Sequence, residues 1–241
     1  MKTLTESQIK ALIHLLGDND IKTAHIARTT LIASRRQAEP YLKAAQTATD
    51  PYVRTRAYSI LEYLRLDDLR QRFDQFASLP SDWVDLEDGA LLIAETAHSS
   101  LEAAHYHALL DNMADGFKET LETMPGLRGR ELIEALNQYF FHTLGFTGYR
   151  EDHTDPSHIY LNEVIENRVG TPISLSTIYL LLARRLRIPV VGIGMPGHFL
   201  LQYNDSLFID ALENGQVLTR SECIQYLINN GFGFHPAYLS A

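Results

Sequence analysis

Residues 170–210 read GTPISLSTIYLLLARRLRIPVVGIGMPGHFLLQYNDSLFID, and this stretch decides the fold. Thr171 and Pro172 suit an N-cap and a first helical residue. The apolar spacing that follows predicts a helix over 173–187 with a face of Ile173, Thr177, Leu180, Leu181 and Arg184. After Pro189 the pattern changes to short strands, expected over 190–194, 199–203 and 207–210. His198 sits in the turn between the first two, and Asp210 closes the third. A nucleophile at a helix N-terminus, with a histidine and a carboxylate on adjacent strands, is how thiol acyl-transfer sites are assembled. The segment supplies all of that except the cysteine.

The hairpin between His198 and Asp210 sets whether they meet. A three-residue loop of Asn204, Asp205 and Ser206 pairs Tyr203 with Leu207, Leu201 with Ile209 and Leu200 with Asp210, which puts His198 and Asp210 on one face as diagonal neighbours. A two-residue loop puts them on opposite faces, because a slip of one residue flips every side chain. If they meet, Asp210 accepts a ring N–H of His198, fixes its tautomer and leaves the other nitrogen as a base. If not, His198 is a turn residue and Asp210 a strand-end cap.

On the C-terminal side, Thr219 and Glu222 form a capping box for a helix carrying Cys223 and Leu227. On the N-terminal side the chain is helical. Asp85 can cap a helix with Leu86, Ala90, Ile93, Ala94 and Ala97 on its apolar face. A second helix runs through Leu101, His105, Leu109, Met113, Phe117 and Leu121. A third carries Leu132, Ile133, Leu136, Tyr139, Phe140 and Leu144 and stops at Gly145, and a fourth is HIYLNEVIENRV. The expected class is therefore α+β, mostly helical, with a small antiparallel sheet near the C-terminus.

The first 65 or so residues carry a repeat. A shift of 30 residues places Leu12 on Leu42, Asp20 on Asp50, Ala27 on Ala57 and Leu31 on Leu61, each Asp capping the second helix of a pair. The pattern resembles two short HEAT-like repeats. With the boundary near Pro80 and Ser81, the expected division is 1–78 and 79–241.

Composition bounds the function. The chain has 241 residues, 45 % hydrophobic and 21 % charged, which is ordinary for a soluble globular protein. A net charge of -9 argues against nucleic-acid or anionic-membrane partners. The one dense basic spot, Arg184, Arg185 and Arg187, reads as a solvated helix face. A single cysteine excludes an internal disulfide and a cysteine-rich zinc site. Together with the lack of a membrane span or a signal-like N-terminus, it points to a cytoplasmic protein.

Several ordered motifs, LEDGALLIAETAHSSL, a DP before YLNEV, GTPISLSTIYLLLARRL, PGHF and the closing Asp210, resemble the transglutaminase-like superfamily, and within it the bacterial SirB-one family. The resemblance spans roughly 82–228 and implies a papain-like core with His198 as the superfamily histidine and Asp210 as its acidic partner. Counted without gaps, the superfamily cysteine falls on Pro172; a two-residue shift gives Ser174. Ala211 stands where a proline is usual, and His158 and Ile159 where the family has Asn-Ser.

The candidate catalytic set is thus Ser174, His198 and Asp210, with Asn162, Glu163, Pro172 and Gly197 as candidate binding residues. Ser174 would need His198 within hydrogen-bond reach, since a hydroxyl is far less acidic than a thiol. Ser176 is expected to pack inward. Cys223, in the first turn of its helix, is either a relocated nucleophile or a core residue. Asp152, His153, Asp155 and His158 make a ligand-like cluster that also serves polar capping. No cofactor is expected. The preferred reading is a noncatalytic or weakly catalytic protein that binds protein or peptide. The rivals are a serine-dependent hydrolase or acyltransferase and a metal-dependent hydrolase at 152–158.

Overall fold

In the computed structural model, which describes residues 4–150 and 155–240, the chain divides into two units, Met1–Ser81 and Asp82–Ala241. Asp20 and Asp50 each begin a helix in the first unit, accepting from the second and third N–H groups of the segment they cap. This unit consists of α1 (Glu6–Leu15), α2 (Ile21–Ala33), α3 (Arg35–Ala45) and α4 (Pro51–Ala77). Pro51 takes the first helical position of α4, where its missing N–H costs nothing. Ala27, Leu31, Leu42, Ala57 and Ile60 are buried together. Arg56 on α4 donates to the Leu16 carbonyl at the end of α1, satisfying a group the helix leaves open.

The second unit holds α5 (Leu86–Ala94), α6 (Ala103–Thr123), α7 (Gly129–Asn137), α8 (Leu161–Asn167), α9 (Pro172–Arg185) and α10 (Arg220–Asn229). Its strands are β1 (Thr147–Gly148), β2 (Val169–Gly170), β3 (Val191–Met195), β4 (His198–Asn204), β5 (Leu207–Asp210) and β6 (Gln216–Thr219). The first two form a short parallel bridge, and the other four an antiparallel sheet in chain order. The class is α+β, mostly helical, with the sheet near the C-terminus. No described helix is long and apolar enough to cross a membrane.

The caps expected at Asp85, Thr171 and Thr219 are in place, and Gly145 ends its helix at φ 78°. Between α7 and that glycine the chain widens into a π-helical turn, Gln138–Thr143, which turns Tyr139, Phe140 and Phe141 all into the core. The expected fourth helix is shorter: Pro156–His158 is a separate 3-10 turn, and Val169 joins the parallel bridge.

Two apolar faces differ from expectation. On α9 the buried apolar residues are Leu175, Ile178, Tyr179, Leu181, Leu182 and Ala183, while Ile173 is 63 % exposed. On α5 Leu91 and Leu92 are buried and Ile93 is 52 % exposed. Both segments are apolar on nearly every side, so periodicity leaves the phase undetermined until packing chooses it.

The basic spot on α9 is a solvated face only in part: Arg184 and Arg187 are exposed, whereas Arg185 is largely covered. Arg185 holds Glu87 through both of its Nη atoms and Asp111 through Nε, each near 2.7 Å, and Arg184 reaches Asp85. These pairs fasten α5 and α6 to α9, and the fork geometry of arginine suits the bidentate contact.

Candidate functional site

The β4–β5 hairpin settles the register. Its loop has two residues, Asp205 and Ser206, because Asn204 rather than Tyr203 pairs with Leu207. Tyr203 is then an extra residue, a β-bulge, and beyond it the pairs are Gln202 with Phe208 and Leu201 with Ile209. A two-residue loop plus a one-residue bulge restores the parity that a three-residue loop would give. His198 and Asp210 consequently share a face, and His198 Nε2 lies 2.7 Å from Asp210 Oδ2.

Each member of this pair is held from its own side. His198 follows a tight Pro196–Gly197 turn in which Met195 pairs with His198 and Gly197 has φ 75°, the type II arrangement that favours glycine. Asp210 Oδ1 accepts from the Leu212 and Glu213 backbone, leaving Oδ2 for the histidine. Because the carboxylate can only accept, Nε2 is the nitrogen that donates, and in the neutral ring the lone pair falls to Nδ1. Both side chains are about nine-tenths buried.

A buried relay steadies the turn after Asp210. Tyr179 on α9 donates to Asn137 Oδ1 at 2.8 Å, and Asn137 Nδ2 donates to the Gly215 carbonyl at 2.6 Å. Gly215 N–H in turn donates to the Asp210 carbonyl. Burial drives the Tyr179 phenol far above its ordinary pKa, so it stays a donor. The relay was not anticipated; its one sequence signal is an asparagine within LNQYFF, where a fully apolar helix face is otherwise expected.

The sheet's two faces have different neighbours. Leu201, Leu207 and Ile209 join the core that contains α9, whereas Ile193, Leu200 and Phe208 pack with Cys223 and Leu227 of α10. By strand alternation His198 and Asp210 belong to the α10 face. The Tyr226 ring lies 5.5 Å from the His198 ring, and a side chain added at Gly197 would strike the Phe232 ring at 3.0 Å. These two aromatics border the pair, and neither was expected.

Ser174 is elsewhere. It sits in the first turn of α9, 5 % exposed, and its hydroxyl donates to the His158 carbonyl at 2.7 Å. Thr171 caps its N–H, and Gly170 leaves room for its oxygen, since a Cβ there would lie 2.7 Å away. Among the described residues no hydrogen bond joins Ser174 to His198. Pro172 is the first residue of α9 and offers no nucleophile. Ser176 is fully buried.

Cys223 is 1 % exposed, and burial, followed by the Glu222 and Asp210 carboxylates, pushes its thiol up to about 11. Desolvation thus outweighs the helix-terminus effect, and the side chain is part of the core. Asp155 caps the 3-10 turn through Ser157, and the His158 ring lies 3.9 Å from the Tyr149 ring, tilted by 36°. Asp152 and His153 lie outside the described residues. Among the described residues no three His, Cys, Asp or Glu side chains converge as a metal set. Asn162 and Glu163 lie on α8 in a separate cleft.

A family model described as transglutaminase-like superfamily matches residues 104–241. The chain belongs to that superfamily. The chain is also similar to curated proteins. A UPF0162 protein of Xylella fastidiosa (strain Temecula1) is 33 % identical over 153 residues, covering 62 % of this chain and 54 % of the relative. A UPF0162 protein of Vibrio cholerae is 28 % identical over 156 residues, with 62 % and 56 % covered. F-box only protein 21 of Homo sapiens is 28 % identical over 203 residues, covering 71 % of this chain and 32 % of the relative. The chain therefore spans about half the length of the bacterial relatives it matches. No solved structure matches.

Proposed function

We propose that this transglutaminase-like protein is noncatalytic or only weakly catalytic and acts by binding a protein or peptide beside the His198–Asp210 pair, in a role open to regulation. We further read it as a SirB-type member whose first unit is a HEAT-like helical region. The observation that carries the reading is the placement of Ser174. Its single proton goes to the His158 carbonyl, and it begins the helix that packs on the opposite sheet face from His198. A serine must give its proton to the base to attack, and among the described residues no nucleophile is bonded to the second ring nitrogen of His198. Tyr226 and Phe232 beside it supply the aromatic surface on which peptide recognition relies.

Two experiments test this reading. A serine-directed fluorophosphonate is expected to leave Ser174 unlabelled; labelling that Ser174→Ala abolishes would overturn the noncatalytic reading in favour of a serine hydrolase or acyltransferase. Peptides selected from a random display library are expected to bind at least about tenfold more weakly to Tyr226→Ala, the scale of an aromatic anchor. A selection that yields no binder, or binders indifferent to Tyr226, defeats the binding reading.

A further inference from the structure

The YLNEV motif faces a cleft that the His198–Asp210 pair does not touch. It is bordered by the segment 98–106 and by α8, with a volume near 320 Å³, and His98, Glu102, Tyr106, Asn162, Glu163 and Glu166 line it. A water's share of liquid volume is about 30 Å³, so the space holds far more than one bridging water.

Its chemistry is one-sided. Asn162 is 4 % exposed, and its Oδ1 accepts no hydrogen bond among the described residues, which is costly for a buried carbonyl. Glu166 Oε1 accepts from the Tyr106 hydroxyl, leaving Oε2 without a partner among the described residues. Glu163 accepts from Asn167 at 3.1 Å and stands 3.4 Å from His98 Nε2. No lysine or arginine among the described residues pairs with Glu163 or Glu166. Burial and the Glu166 carboxylate push the Tyr106 phenol up to about 12, so it too stays protonated and spends its proton on Glu166. The cleft has more acceptors than its own donors fill.

Among the described residues no three His, Cys, Asp or Glu side chains converge as a metal set, so the Glu163 and Glu166 carboxylates do not form a ready cage for a compact ion. A planar cation with several N–H donors can use them together. We propose that this cleft is a binding site for an alkyl guanidinium, its N–H groups shared between Asn162 Oδ1 and the Glu163 and Glu166 carboxylates. The site goes beyond the peptide-binding reading given above and does not depend on it. One guanidinium chemistry has two sources, an arginine side chain in a polypeptide or a free small molecule.

The test uses the full chain with N-acetyl-arginine methylamide, agmatine and N-acetyl-citrulline methylamide, followed by calorimetry and by the side-chain amide NMR signals of Asn162. Either guanidinium compound is expected to bind and to shift the Asn162 signals, with affinity falling as salt rises. The isosteric neutral citrulline compound is expected to bind at least about tenfold more weakly, because charge-assisted bonds are roughly twice as strong as neutral ones. Preference for the arginine derivative supports a polypeptide source, and equal or better binding of agmatine a free one. Glu163→Gln and Glu166→Gln, each checked for unchanged thermal unfolding, should each weaken binding several-fold; Glu166 is the milder change because it is exposed, whereas the Glu163 side chain is only 28 % exposed. Citrulline binding within threefold of arginine, absence of any shift at Asn162, or indifference to both substitutions would overturn the proposal.

Discussion

Asp210 divides its two carboxylate oxygens between two tasks, one holding the turn that follows it and the other holding His198. Replacing it with alanine should leave two part-buried N–H groups and a largely buried histidine without their acceptor, a loss of about 1–3 kcal/mol, read as a lower midpoint in urea. The same substitution should also remove the tautomer preference of His198, visible in its ring 15N shifts. An unchanged tautomer would mean that the pairing is incidental. Cys223 yields a second residue-level prediction. With its thiol pushed up to about 11 and its surface closed, the native protein should resist a thiol reagent at pH 8 and react only after unfolding. That Asp210 and His198 could meet on one face was legible from their spacing; the link between Asn137 and Tyr179 was not, because a buried asparagine reads in sequence like any surface one.

At the level of elements, the bulge at Tyr203 controls the pair. Deleting Tyr203 should shift every β4 residue before it by one position against β5, turning His198 away from Asp210 and erasing the Nε2–H tautomer signal. Deleting Tyr203 while inserting one residue after Ser206 should restore it. If the double change fails where the fold is intact, register is not what joins the two side chains. Caps were the most legible elements because a cap is a local bond: Asp20, Asp50, Asp85, Thr171 and Thr219 all act within three residues of themselves. The apolar faces of α5 and α9 were the least legible, since a nearly uniform apolar segment carries little information about phase. The π-helical turn at Gln138–Thr143 was invisible for a related reason: its sequence differs in nothing from an ordinary helix end.

For the molecule as a whole, acid is the expected weakness. Glu62 is held below its ordinary 4.5 by a hydrogen bond from Arg65, Asp155 below 3.8 by the Ser157 hydroxyl, and Glu222 below 4.5 by the Thr219 backbone. A lowered folded pKa means that the unfolded chain binds protons first. The stability from these groups is therefore full above their ordinary values and is lost as pH falls through the folded ones. Net charge passes through zero near pH 5.5, so below that point growing positive self-repulsion acts in the same direction. The melting temperature should fall steeply below about pH 4.5 while changing little nearer neutrality; a curve flat down to pH 3 would contradict this. The α+β class and the order of helices before sheet were legible along the whole chain, because both follow from a change of period at Pro189. Which sheet face each helix covers was not, since it depends on contacts between distant segments.

The bulge also bears on how this chain should be compared with others. A lineage can trade a residue between the Tyr203 position and the 205–206 loop without disturbing the histidine and the aspartate, yet an alignment would record two gaps in the middle of the motif. Relatives whose alignment is gapped between those two residues still keep the pair whenever the insertion and the deletion fall within this one hairpin.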